Sequence, residues 1–124
     1  MRQDRPGLRA GAPTQKQRQQ ALRDELARIV EALKELGALK VILFGSVARE
    51  EIRASSDLDL IVVMDSQEAF ADRMAHLYQR VRPRIACDLL AYTPEEFQEM
   101  PSHSLLIREA LREGRVVYEA RPEG

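Results

Sequence analysis

The sequence is poor in features that define several large classes of protein. Its single cysteine, Cys87, cannot form a disulfide within the chain, which is the usual pattern in a reducing compartment. No apolar run approaches the roughly 20 residues of a membrane span, and the N-terminal residues contain no apolar segment of signal-peptide type. The formal net charge is -1, whereas proteins that hold nucleic acid by its phosphates are usually strongly basic. We therefore expect a cytoplasmic protein whose main partner is neither a membrane nor a nucleic acid.

The size of the chain allows one domain. With 124 residues, of which 44% are hydrophobic, it can bury a core but cannot form two domains of ordinary size. Residues 1–13 are polar and rich in helix breakers, so we expect a flexible arm there. The domain is then expected at 14–119, with a short tail at 120–124.

Helical and strand-like patterns alternate along the predicted domain. Apolar residues recur at helical spacing at about 14–36, 65–82, 94–100 and 104–113. Apolar runs of strand type occupy about 39–44, 58–64 and 85–90, and a short edge strand is expected at 115–119. This alternation favours an α/β (α+β) fold, in which helices flank a small mixed β-sheet.

Capping patterns mark three of the predicted helix starts. Thr14 with Gln17 has the spacing of a capping box, and so does Thr93 with Glu96, which also has a proline at the first helical position between them. The segment 65–68 carries a similar pattern, with a serine and a glutamate. Each pattern predicts that a helix begins directly after it.

Three carboxylates lie in or beside apolar strands, where strand periodicity would place apolar side chains. Asp57 and Asp59 are two residues apart, so in a strand they project from the same face, and Asp88 lies near the middle of another predicted strand. Burying such carboxylates together is costly unless a cation holds them ionised. Mg2+ usually takes one or two protein carboxylates and completes its shell with substrate phosphates and water. The pattern therefore predicts a divalent metal and a nucleotide.

The pair Gly45-Ser46 follows directly after an apolar strand. Glycine allows a sharp turn and a close approach of backbone to ligand, and serine adds a hydroxyl. If the next residues form a helical turn, its free N–H groups point at a phosphate. Arg49 and Arg53 follow this turn, and they either contact a triphosphate or lie on the surface against neighbouring glutamates.

The remaining reactive side chains have simpler interpretations. Cys87 is expected in the core, with a thiol nucleophile as the alternative. His76 lies off the apolar face of its predicted helix and His103 lies near a helix start, so both are expected in solvent. Neither the cysteine nor the histidines have zinc-site spacing.

Two stretches of the sequence resemble a known signature. GSVAREEIRASSDLDLIVV, followed by the distant ACDLLAYTPEEF, resembles the DNA polymerase β-type nucleotidyltransferase superfamily, and within it the minimal nucleotidyltransferases of prokaryotes. The likeness covers about residues 37–119. One departure is Glu50, because many members have a glycine at this position, and the change brings negative charge near the phosphate loop.

The resemblance assigns roles to the same residues. It implies that Gly45 and Ser46 bind phosphate and that Asp57 and Asp59 bind metal. It also implies that Asp88 is the third carboxylate, which helps to bind metal and to activate the attacking hydroxyl.

The resemblance also implies a reaction and a partner. The expected reaction is transfer of a nucleoside monophosphate, AMP from ATP, to a hydroxyl, with Mg2+ or Mn2+ as cofactor and two ions in the site. The expected partner is a small helical protein of HEPN type, as in toxin–antitoxin pairs. Two alternatives stay open: an antitoxin that neutralises its partner by binding alone, and an enzyme that nucleotidylates a small molecule such as an aminoglycoside.

Overall fold

The computed structural model describes residues 14–48 and 57–121, which form one mixed β-sheet between two layers of helices. The four strands are β1 (Lys40–Phe44), β2 (Leu58–Val63), β3 (Cys87–Tyr92) and β4 (Arg115–Glu119). Their order across the sheet is β3-β2-β1-β4. β1 is antiparallel to β2 and to β4, whereas β2 and β3 are parallel. The predicted α/β fold with a small mixed sheet is confirmed.

Helices cover both faces of this sheet. They are α1 (Gln15–Glu35), α2 (Gly45–Ala48), α3 (Phe70–Val81), α4 (Pro94–Glu99) and α5 (Leu105–Glu113), and a 3-10 turn at Met100–Ser102 joins α4 to α5. α1 and α3 pack on one face and α4 and α5 on the other. None of the helices in the described ranges is both long enough and apolar enough to cross a membrane.

Two of the predicted capping boxes are confirmed. The Thr14 hydroxyl accepts a hydrogen bond from the Gln17 amide at 3.0 Å, and the Thr14 amide donates to the Gln17 side chain at 2.9 Å. At the start of α4, the amide of Glu96 donates to the Thr93 hydroxyl at 3.2 Å and the Glu96 carboxylate accepts from the Thr93 amide at 2.9 Å. Each pair satisfies N–H groups that a helix start leaves without intrahelical partners.

The sheet separates two hydrophobic cores. The larger core lies between the sheet and the α1/α3 layer, and Ile29, Leu43 and Leu60 are among its fully buried members. The smaller core lies on the opposite face, where Ile61 packs with Ile107 of α5. Because side chains alternate along a strand, odd-numbered residues of β2 face α5. Asp59 therefore projects from the α5 face.

Two sequence-based boundaries were wrong. The segment 65–68 does not cap a helix: the Ser66 hydroxyl accepts from the Glu68 amide at 3.0 Å, which closes a local turn, and α3 begins only at Phe70. The third strand starts at Cys87 rather than at 85, so Asp88 is its second residue and not near its middle. The parallel register sets this start, because β3 begins opposite the first residue of β2.

Two buried charged residues, absent from the sequence-based predictions, connect the elements. The Arg73 guanidinium, 3% exposed, donates to the Ala91 carbonyl at 2.8 Å and pairs with the Glu96 carboxylate at 2.7 Å, which joins α3 to β3 and α4. Glu25 of α1, 6% exposed, pairs with Arg28 of the same helix at 2.7 Å and accepts a hydrogen bond from the Arg84 amide at 2.6 Å, which joins α1 to the segment between α3 and β3. Buried charges are tolerated when they are paired and hydrogen-bonded in this way.

Candidate active site

Two of the predicted carboxylates face each other across neighbouring strands. Asp59 of β2 is directly opposite Asp88 of β3 in the parallel register. Neighbouring strands lie about 4.8 Å apart, and opposite residues share a face of the sheet. Asp88 is exposed and Asp59 partly exposed, so both carboxylates reach solvent at this point. Asp57 is two residues before Asp59, immediately ahead of β2, and is also partly exposed.

Gly45 brings the end of β1 against the same carboxylates. Phe44, the last residue of β1, is opposite Asp59 in the antiparallel register. Gly45 follows with φ 79°, a left-handed conformation that side chains strongly disfavour. A Cβ atom built on Gly45 would lie 3.1 Å from the Asp59 Cγ and closer still to Asp59 Oδ2. The glycine is therefore required both by its backbone angle and by the carboxylate beside it.

A cavity of about 410 Å³ opens beside this point, between the end of β1 and α5. Its lining includes Gly45, Asp59, Leu106, Glu109 and Glu113. No sequence pattern had drawn attention to the three α5 residues. Their spacing along one helix would have revealed a shared face, but not that the face covers Asp59.

The available ligands fit a hard divalent cation that is completed by substrate. In the two described ranges, no group of three or more His, Cys, Asp or Glu side chains is arranged to hold a metal ion by itself. The side chains that converge here carry carboxylate oxygens, which suit Mg2+ and Mn2+ rather than the tetrahedral nitrogen and sulfur sites of zinc. Mg2+ commonly takes one or two carboxylates and leaves the rest of its shell to phosphates and water. That Asp57, Asp59 and Asp88 hold such an ion, with phosphate and water oxygens, stays a prediction.

The sequence decides the family. The profile of the polymerase β nucleotidyltransferase family matches residues 27–123, which include all three aspartates and the Gly45-Ser46 turn. The chain belongs to this family. No curated protein matches the sequence at a significant level.

Solved structures resemble the nucleotidyltransferase domain in fold. A candidate nucleotidyltransferase from Sulfolobus solfataricus is 21% identical with a TM-score of 0.60, over 91% of this chain and 93% of that one. A toxin–antitoxin structure with AMP-PNP is 18% identical with a TM-score of 0.57, over 77% of this chain and 73% of that one. A candidate minimal nucleotidyltransferase is 26% identical with a TM-score of 0.50, over 78% and 93%.

Cys87 lies in a partly buried and negatively charged environment. Burial raises the pKa of this thiol to about 12, and the charges of Asp88, Asp59 and Asp57 contribute to the same shift. A thiol with this pKa stays protonated at neutral pH, which argues against the nucleophile alternative. The side chain is partly buried and packs against the larger core, as the core interpretation requires.

Only some of the other predicted residues lie within the described ranges. Ser46 is the second residue of α2. Arg49 and Arg53, the predicted triphosphate contacts, lie outside the described residues, as does Glu50. Both histidines are exposed, which confirms that interpretation, and His76 pairs with Glu68.

A second cavity of similar volume lies beside α3, next to the residues that directly follow α1 and β2. Its charged lining residues include Glu68, His76 and Arg73. These groups are engaged within the protein, His76 with Glu68 and Arg73 with Glu96. The candidate active site is therefore the cavity that Gly45 and Asp59 line.

Proposed function

We propose that the protein transfers AMP from ATP to a hydroxyl group of a partner protein, in a reaction that depends on Mg2+ or Mn2+. The observation that carries this proposal is the close approach of Gly45 to Asp59, with Asp88 opposite Asp59 on the next strand. A turn without a side chain leaves backbone beside carboxylates, which is the combination needed to hold a triphosphate and its metal together.

Each residue has a defined role in the proposal. Gly45 and Ser46 bind the triphosphate, and Asp57 and Asp59 would hold the metal. Asp88 would complete the metal site, and it takes the proton of the acceptor hydroxyl. The acceptor oxygen then forms a bond to the α-phosphorus, the bond from that phosphorus to the bridging oxygen breaks, and pyrophosphate leaves. The bound cations would supply neutralisation of the charge that develops on the phosphate oxygens.

The protein acceptor is proposed on two grounds. The described domain is small, with a cavity bounded on one side by α5, so a large acceptor would have to approach from outside. A fold relative occurs in a toxin–antitoxin structure with AMP-PNP, and we extend that arrangement to a small helical partner of HEPN type. The choice of ATP as the nucleotide and of a protein as the acceptor both rest on this likeness.

Asp88→Ala provides the direct test. The protein is incubated with the product of the neighbouring gene, Mg2+ and each nucleoside triphosphate in turn, and the partner is weighed by intact-mass spectrometry. We expect AMP to be added by the wild type and not by Asp88→Ala, although both co-purify with the partner. Asp65→Ala is the matched control, because this exposed carboxylate follows the other end of β2.

Two outcomes would contradict the proposal and favour a different function. If wild type and Asp88→Ala inhibit the partner equally and add no mass, neutralisation by contact accounts for the activity. If the partner is unchanged but an aminoglycoside gains AMP, the acceptor is a small molecule. The acidic side chains Glu109 and Glu113 in the cavity lining make a cationic small molecule the second candidate, although both also face Arg112, at 2.5 Å and 3.6 Å.

A further inference from the structure

β3 is an edge strand whose outer side is covered by side chains of α3. Within the described residues, the order β3-β2-β1-β4 leaves one side of β3 without a neighbouring strand. At that side, the Tyr78 hydroxyl accepts a hydrogen bond from the Leu89 amide at 2.8 Å and donates one to the Cys87 carbonyl at 3.1 Å. One hydroxyl therefore satisfies two backbone groups that an edge strand would otherwise leave open.

These two backbone groups stand on either side of Asp88. Because side chains alternate between the two faces of a sheet, the Asp88 side chain points to the α5 face. The Cys87 carbonyl and the Leu89 amide point outward from the sheet edge to Tyr78. Tyr78 is itself held in place, since its ring packs against the larger core. Its contacts thus fix the short stretch of backbone from which the exposed carboxylate projects.

The protonation state of Tyr78 agrees with this arrangement. Burial raises the pKa of the phenol, and although the Leu89 hydrogen bond lowers it, the negative charge of Asp88 raises it again. The hydroxyl therefore keeps its proton at neutral pH and can donate to the Cys87 carbonyl while it accepts from the Leu89 amide.

We propose that Tyr78 is a positioning residue for Asp88: its hydroxyl clamps the backbone on both sides of this residue and so sets the carboxylate opposite Asp59. The inference rests on the proposed function of the site. Residues that orient a metal ligand without touching the metal commonly change the metal affinity or the activity by about 10- to 100-fold when they are removed. Tyr78→Phe removes only the hydroxyl and keeps the ring in the core.

Met74 offers a matched control on the same helix and the same strand edge. Its sulfur accepts a hydrogen bond from the Ala91 amide at 3.2 Å. Met74→Leu removes this acceptor but keeps the apolar volume. The bond lies beyond Leu89 and does not flank Asp88, so a general weakening of the strand edge would affect both variants, whereas positioning of the carboxylate would affect Tyr78→Phe alone.

The experiment measures three quantities for wild type, Tyr78→Phe and Met74→Leu. They are the Mn2+ affinity in the presence of a non-hydrolysable ATP analogue, the kcat and KM of AMP transfer, and the melting temperature. We expect Tyr78→Phe to bind Mn2+ about 10-fold more weakly and to lower kcat by a similar factor, with a smaller change in KM for ATP. We expect Met74→Leu to match the wild type in Mn2+ affinity and kcat, even if its melting temperature falls as far.

The outcomes separate this inference from the proposed function. If the wild type binds Mn2+ and transfers AMP, but Tyr78→Phe behaves like Met74→Leu, the positioning role is wrong and the transferase proposal stands. If the wild type binds Mn2+ without transfer, the Mn2+ affinities alone decide the role of Tyr78. If the wild type binds no Mn2+, the metal-dependent function is overturned, and the positioning role is overturned with it.

Discussion

Gly45→Ala is expected to damage both the fold and the site, because a methyl group there meets two separate obstacles. The left-handed backbone at φ 79° disfavours a side chain by about 1–2 kcal/mol. The new Cβ would also lie 3.1 Å from the Asp59 Cγ, and forcing extra atoms into a packed position typically costs about 1–3 kcal/mol. Together these predict a loss of about 2–5 kcal/mol in the free energy of unfolding.

Gly37→Ala separates the two contributions. Gly37 also has a left-handed backbone, with φ 96°, but nothing lies within 4 Å of a Cβ built there. It should therefore lose only the conformational part, about 1–2 kcal/mol. The double variant Gly45→Ala/Asp59→Ala provides a second check, because removing the carboxylate should return part of the stability lost in Gly45→Ala.

Urea unfolding of these variants gives the free energies, and calorimetry gives the affinity for ATP with Mg2+. We expect Gly45→Ala to be the less stable of the two glycine variants and to bind ATP with Mg2+ at least 10-fold more weakly, because the displaced Asp59 is a metal ligand in the proposed site. The reasoning would be refuted if Gly45→Ala cost no more than Gly37→Ala and bound nucleotide like the wild type.

Two further predictions concern ionisation. The Arg73 guanidinium holds the pKa of Glu96 below its usual range, so the pair stabilises the fold fully above the unfolded-state value of about 4.3 and loses this contribution as the pH falls through the lower folded value. Urea midpoints from pH 3 to 7 should therefore fall less steeply on acidification for Glu96→Gln than for wild type, and parallel curves would contradict the pairing. Because burial raises the pKa of Cys87 to about 12, iodoacetamide should modify the folded, metal-free protein far more slowly at pH 8 than the urea-unfolded chain. Equal rates would show that the folded structure does not protect the thiol by burial.

Local patterns predicted those features that depend on neighbours in sequence. The capping box of Thr14 and Gln17 predicted the start of α1, because its hydrogen bonds join residues three apart. The start of α3 was predicted wrongly. Ser66 and Glu68 are residue types that suit a helix cap, but the same side chains can also close a local turn. Local spacing cannot choose between these two uses.

The sequence by itself determined the family and the alternation of helices and strands, and it predicted the three aspartates as metal ligands, since these inferences depend on residue type and spacing. Only the tertiary structure decided that Asp59 stands opposite Asp88 and against Gly45, and that Tyr78 holds the backbone around Asp88. These contacts join residues that are distant in the chain, and strand register and helix packing bring them together. A one-residue change of register would have turned the same carboxylates to the opposite face of the sheet.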